Sequence, residues 1–329
     1  MKRMFIIMLA MSLALFGSEA WEAIVMPNAS FMMYCGEKMI AKGEQNRQEK
    51  QNDGQLDKMD ELLGEERSEY YEAMVSVLGE LEKSGSLKKN VKTFRLIDSF
   101  SAVKNAAVAL EFKKPVELEA LKSIPDAKVA ISVDKIAGKE ALSIEVKEPE
   151  KLRFAAVLVD DGKSMLLTGW DAAPAMVARI GKQASFTPEM KHVIGSVKGD
   201  FRLVLEITHQ LKQKINEKAM SKMSEEPMQA MVFMKLAEMN GLLFDAVLEP
   251  EGVNVKIGLS SSNAQGAAVV KSQLFDGMVL PMAQGLADGI APGKINTGSM
   301  FKTSVEGKNA ILNIKLKNSE LELIKGATM

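Results

Sequence analysis

The chain is 329 residues long, with 42 basic and 43 acidic side chains, one cysteine and two histidines. Its near-neutral balance supplies no field to gather nucleic acid or anionic lipid, and a lone cysteine excludes an intramolecular disulfide. At roughly 150 residues per domain, the length predicts two domains, each able to bury a core.

The chain opens with basic Lys2 and Arg3, an apolar run from Met4 to Phe16, and the small-residue site Ser18-Glu19-Ala20. This is the pattern of a secretory signal peptide cleaved after Ala20. The apolar run is shorter than the roughly 20 residues a membrane-spanning helix needs, so no stable membrane span is expected after signal removal. The mature chain is then expected in the periplasm or extracellular space. Cys35 lies far past the apolar run and lacks the setting of a lipid-acylation site. It follows the strand-like run Ser30-Phe31-Met32-Met33-Tyr34 and reads as a buried thiol.

Residues 37–55 form a polar segment with the composition of a mobile loop. Within it and just after, Glu49, Gln51, Asp53, Gly54 and Asp60 fall at calcium-loop spacing, but the first ligand is Glu and the last is Asp. A plain polar loop is the better reading. Leu56, Met59, Leu63, Tyr70, Met74, Val77 and Leu81 then recur at helical spacing and predict a long helix with one apolar face.

Residues 93–97 and 106–112 read as paired strands, Pro115 as the first residue of a helix over 116–124, and 128–133 with 141–146 as a hairpin. Residues 151–181 read strand, Asp161-Gly162-Lys163 turn, strand, then a helix over 172–180 capped by Asp171 and closed by Gly181. Residues 298–326 repeat that pattern around Glu306-Gly307-Lys308, which implies a duplicated architecture.

Between the copies, 183–199 reads as a linker, 201–207 as a strand, and Leu211, Ile215 and Ala219 as a helical stripe that Pro227 interrupts. Residues 242–248 and 253–259 pair across Pro250-Glu251-Gly252. One helix is predicted over 264–287, with Pro281 tolerated because Gly277 stands four residues back.

The expected fold is therefore α+β: a signal peptide 1–20, a first domain 21–182, a linker 183–199 and a second domain 200–329. Each domain would be an open antiparallel sheet with helices on one face and water on the other. From Thr93 onward this order of elements resembles exported two-repeat α+β bacterial proteins of unassigned function. The resemblance implies the fold and carries no diagnostic motif or site residue.

Chemistry is sparsely signalled. Gly162-Lys163-Ser164 ends like a phosphate-binding loop, but Val157 stands where the first glycine belongs. Gly258-Leu259-Ser260 starts like a nucleophile elbow without its closing glycine. His192 and His209 carry no neighbouring ligand pattern, and His209 points away from its helix's apolar stripe.

Methionine, at 23 residues, is abundant. Met220 and Met223, then Met228, Met231 and Met234, stand three apart on helices. Thioethers so spaced suit Cu(I), whereas the interleaved Val232, Phe233, Leu236 and Ala237 predict a buried helix with methionine as adaptable filler. A third use is a Met-lined groove for an apolar ligand or partner protein.

The leading reading is an exported, non-enzymatic binding or assembly protein that needs no cofactor. Met228, Met231 and Met234 would be its contact residues. The alternatives are an enzyme with a dispersed acidic site and a Cu(I)-binding methionine protein.

Overall fold

The computed structural model describes residues 31–38, 40, 65–83, 87, 90–98, 106–122, 129–147, 151–179, 199–290 and 297–328. The leader, most of the polar segment, Leu56, Met59 and Leu63, Gly181, most of the linker with His192, and the side chains of Cys35 and Met228 lie outside the described residues. What is described falls in two compact units, one running to Arg179 and the other starting at Gly199.

The first unit contains β1 (Phe31–Cys35), α1 (Glu65–Lys83), β2 (Val91–Asp98), β3 (Ala107–Phe112), α2 (Leu118–Lys122), β4 (Val129–Ile136), β5 (Lys139–Val146), β6 (Leu152–Val159), β7 (Ser164–Gly169) and α3 (Ala173–Val177). Six of its strands pair antiparallel in the order β2-β3-β7-β6-β5-β4. Tyr34 of β1 lies beneath Arg95 of β2, with the guanidinium 4.9 Å from the ring centroid.

The second unit contains β8 (Phe201–Glu206), α4 (His209–Lys222), α5 (Pro227–Ala237), β9 (Gly241–Glu249), β10 (Gly252–Ser260), α6 (Ala264–Val270), a π-helical segment (Lys271–Val279), α7 (Leu280–Ile290), α8 (Thr297–Met300), β11 (Phe301–Glu306), β12 (Asn309–Lys317) and α9 (Asn318–Thr328). Its strands pair antiparallel in the order β8-β9-β10-β12-β11. In both units an early hairpin, β2-β3 or β9-β10, meets the last hairpin through the two second strands.

Helix α1 follows its spacing: Tyr70, Met74, Val77 and Leu81 are buried and cluster with Leu110, Leu142, Ile144, Phe154 and Leu167. The Tyr70 and Phe154 rings stand 5.2 Å apart. The expectation of one wet sheet face is overturned here. Ala107, Thr168, Ala155 and Ser143, successive partners across β3, β7, β6 and β5, are all buried on the face opposite that cluster. The signal was the unbroken apolar run Phe154-Ala155-Ala156-Val157-Leu158-Val159, the pattern of a strand buried on both sides.

Turn chemistry sets the hairpins. Ala137 and Gly138 both take positive φ, 49° and 80°, which gives the two-residue turn that lets β4 and β5 run to it on either side. The predicted strands stopped short because alanine is an unusual first residue there. Gly162, at φ 78°, offers its carbonyl to Val116 N–H at 2.8 Å, and a Cβ on it would run into the Val116 backbone.

Several helix ends differ from their sequence reading. Val116 N–H bonds across to the Gly162 turn, so Pro115 does not open a helix and α2 starts at Leu118. The cap of α3 is Ala172, whose side chain cannot accept, while Asp171 sits in the preceding turn. Gly326 lies inside α9 and does not close it. Glu37, Lys38 and Ile40, expected in the polar loop, form a helical turn, with Glu37 3.3 Å from the Lys113 ammonium.

The single helix expected over 264–287 contains the nine-residue π segment. Lys271 and Asp276, five apart, meet at 2.6 Å, which is π spacing, and Asp276 also accepts from the Thr303 hydroxyl of β11 at 2.7 Å. The segment ends just before Pro281, whose ring and missing N–H are harder to fit into a tight α ladder.

Candidate functional site

Met220 sits on α4, Met223 opens the connection after it, and Met228, Met231 and Met234 sit on α5. Thr208 caps α4 by accepting from Leu211 N–H at 3.3 Å, Pro227 occupies the first turn of α5, and a four-residue connection joins the two. Lys212 ties the base of α4 to Asn240 at 3.0 Å. The two helices pack principally on each other. Among the described side chains, Ile215 and Ala219 of α4 and Ala230 and Ala237 of α5 are the buried ones.

The small alanines are buried while the methionines stay exposed. Met220 is 69% exposed, Met223 39%, Met231 51% and Met234 37%. This corrects the reading of α5 as apolar all round and buried. Val232, Phe233 and Leu236 are half-buried, so the hairpin has a closed side and an open one. The misleading signal was total hydrophobicity, which does not report which apolar side chains are buried: Ala230 and Ala237 are, and Met231 and Met234 are not.

Met220 and Met234 line one open hollow of about 320 Å³ with Asn216, Ala237 and Glu238. Met223, the first residue of the connection, and Met231, three residues before Met234, are exposed as well. Two ion pairs border the hairpin, Lys222 with Glu226 at 3.1 Å and Lys235 with Glu238 at 3.0 Å. Such a surface suits van der Waals contact with an irregular apolar partner, because thioether chains are flexible and polarizable.

The other sequence signals are not brought together. Gly162-Lys163 sits in a hairpin turn and Ser260 ends β10. His209 is exposed at the start of α4. Among the described residues no group of three or more His, Cys, Asp or Glu is placed to hold a metal ion, and no helix is long and apolar enough to cross a membrane.

Sequence reasoning missed a polar cluster inside the first unit. Asp98 is fully buried and accepts from the Tyr71 hydroxyl at 2.6 Å, while the Thr168 hydroxyl donates to the Ala106 carbonyl at 3.0 Å. Burial pushes the Tyr70 phenol far above its usual range, and the Asp98 charge adds to the rise. Hydrogen bonds from the neighbourhood of Gly169 and Thr168 pull the other way.

No family model matches the chain, and no curated protein sequence does. Among solved structures, crystal form I of TP0453 matches with a TM-score of 0.44 at 10% identity, over 94% of this chain and 98% of that one. Crystal form III of TP0453 matches with a TM-score of 0.42 at 9% identity, over 95% of this chain and 99% of that one. Likeness at this level carries no argument about function.

Proposed function

We propose that this is an exported, non-enzymatic binding or assembly component of the cell envelope whose methionine face on α4–α5 receives an apolar segment of a partner protein. The observation that carries this reading is the exposure of Met220, Met223, Met231 and Met234 on one helical hairpin. An apolar surface bordered by charge is the usual mark of an interaction site. Export rests on the leader pattern of residues 1–20.

The two halves, 21–182 and 200–329, descend on this reading from one duplicated unit. The shared strand order of β2-β3-β7-β6 and β9-β10-β12-β11 supports it, as does a glycine of positive φ in each last hairpin, Gly162 and Gly307.

Photo-crosslinking in the exporting cell tests the contact. A photoreactive side chain at position 223 or 231 is expected to capture one defined partner, and the same group at Val75, more exposed than either on α1, is expected to capture none. Replacing Met220 and Met234 with Gln should abolish that capture with the fold retained. Equal capture from position 75, or none from 223 and 231, would refute the reading.

A further inference from the structure

A second feature lies on the sheet of the second unit, on the face opposite Phe244, Val255 and Ile314. Register makes Asp245, Lys256, Asn313 and Lys302 successive partners across β9, β10, β12 and β11. They line a groove of about 280 Å³, with Lys315 one row along.

Most of these charges are already engaged. Asp245 accepts from Gly199 N–H at 2.6 Å, Lys256 meets Glu306 at 2.6 Å, and Lys315 faces Glu249 at 4.0 Å. Among the described residues Lys302 makes no ion pair and the Asn313 side chain no hydrogen bond.

We propose that this groove binds a small monocarboxylate, held by the Lys302 ammonium and the Asn313 amide. Directly paired residues on one sheet face stand about 5 Å apart at Cβ, so the two side chains present a cation and an N–H donor next to each other. A carboxylate has two oxygens on one edge to match them. Asp245 lines the groove, and Glu306 and Glu249 pair with its Lys256 and Lys315, so these acids repel a dianion such as phosphate more strongly than a monoanion. The plain alternative is that Lys302 only blunts the outer strand β11 against edge pairing.

Benzoate titration of the isotope-labelled mature protein, followed by amide NMR, tests the proposal. Benzoate should move the amides of residues 302 and 313 and their neighbours, benzamide should not, and inorganic phosphate should bind more weakly. Lys302→Ala should weaken binding by about tenfold or more, the loss of one charge-assisted hydrogen bond. Lys302→Arg should retain it, and Lys308→Ala, in the adjoining turn, should not change it. The proposal fails if groove amides stay still up to about 50 mM benzoate, if benzamide or phosphate binds as well, or if Lys302→Ala binds like the native protein.

Discussion

Tyr70 shows how one buried group couples the first core to pH. Its phenol lies against Phe154, and its ionisation is displaced upward chiefly by burial. In the unfolded chain the same group loses its proton near pH 10. Above that pH the unfolded state therefore binds fewer protons than the folded one, and stability declines as pH rises. Below it the group contributes no slope. Tyr70→Phe removes the ionisation and keeps the ring, so urea unfolding followed from pH 8 to 11 should show a flatter alkaline decline than the native protein. An unchanged decline would place its origin in other groups. Helical spacing assigned Tyr70 to the buried side of α1. Asp98 was illegible, because an acid closing a strand has no periodic partner to mark it as buried.

The elements were legible where periodicity and turns agree, and failed where side-chain size carried the information. Helix α1 and the hairpins β6-β7, β9-β10 and β11-β12 follow from apolar spacing and from Gly162, Gly252 and Gly307. The second buried face of the first sheet does not follow from alternation, because alanines and serines fill it. Its small side chains are a packing constraint. Ala155 is completely buried between Thr168 and Ser143. Ala155→Leu forces three carbons into that row and should cost about 1–3 kcal/mol by overpacking, measured by denaturant unfolding. A wet face would accept leucine at no cost, and that result would contradict the observed burial. Side-chain size matters on α5 too, where the small Ala230 and Ala237 are buried and the long Met231 and Met234 are exposed. The methionine positions were thus readable as candidates, but their exposure was not.

For the whole molecule, the useful question is whether the two compact units store their stability separately. Phe154, fully buried, anchors the cluster beneath α1, and Phe201 stands edge-on to Phe244 at 5.1 Å in the second unit. If the halves are domains in the thermodynamic sense, each core melts on its own account and calorimetry should resolve two transitions. Phe154→Ala and Phe201→Ala each remove a buried ring at a cost of about 3–5 kcal/mol. For units of this size such a loss lowers the midpoint by roughly 10 °C. Each substitution should move one transition and leave the other in place, and the double variant should move each transition by the amount its own substitution gives, with no coupling between them. A single transition displaced equally by either change would show one cooperative unit, and would remove the basis for treating 21–182 and 200–329 as separate domains.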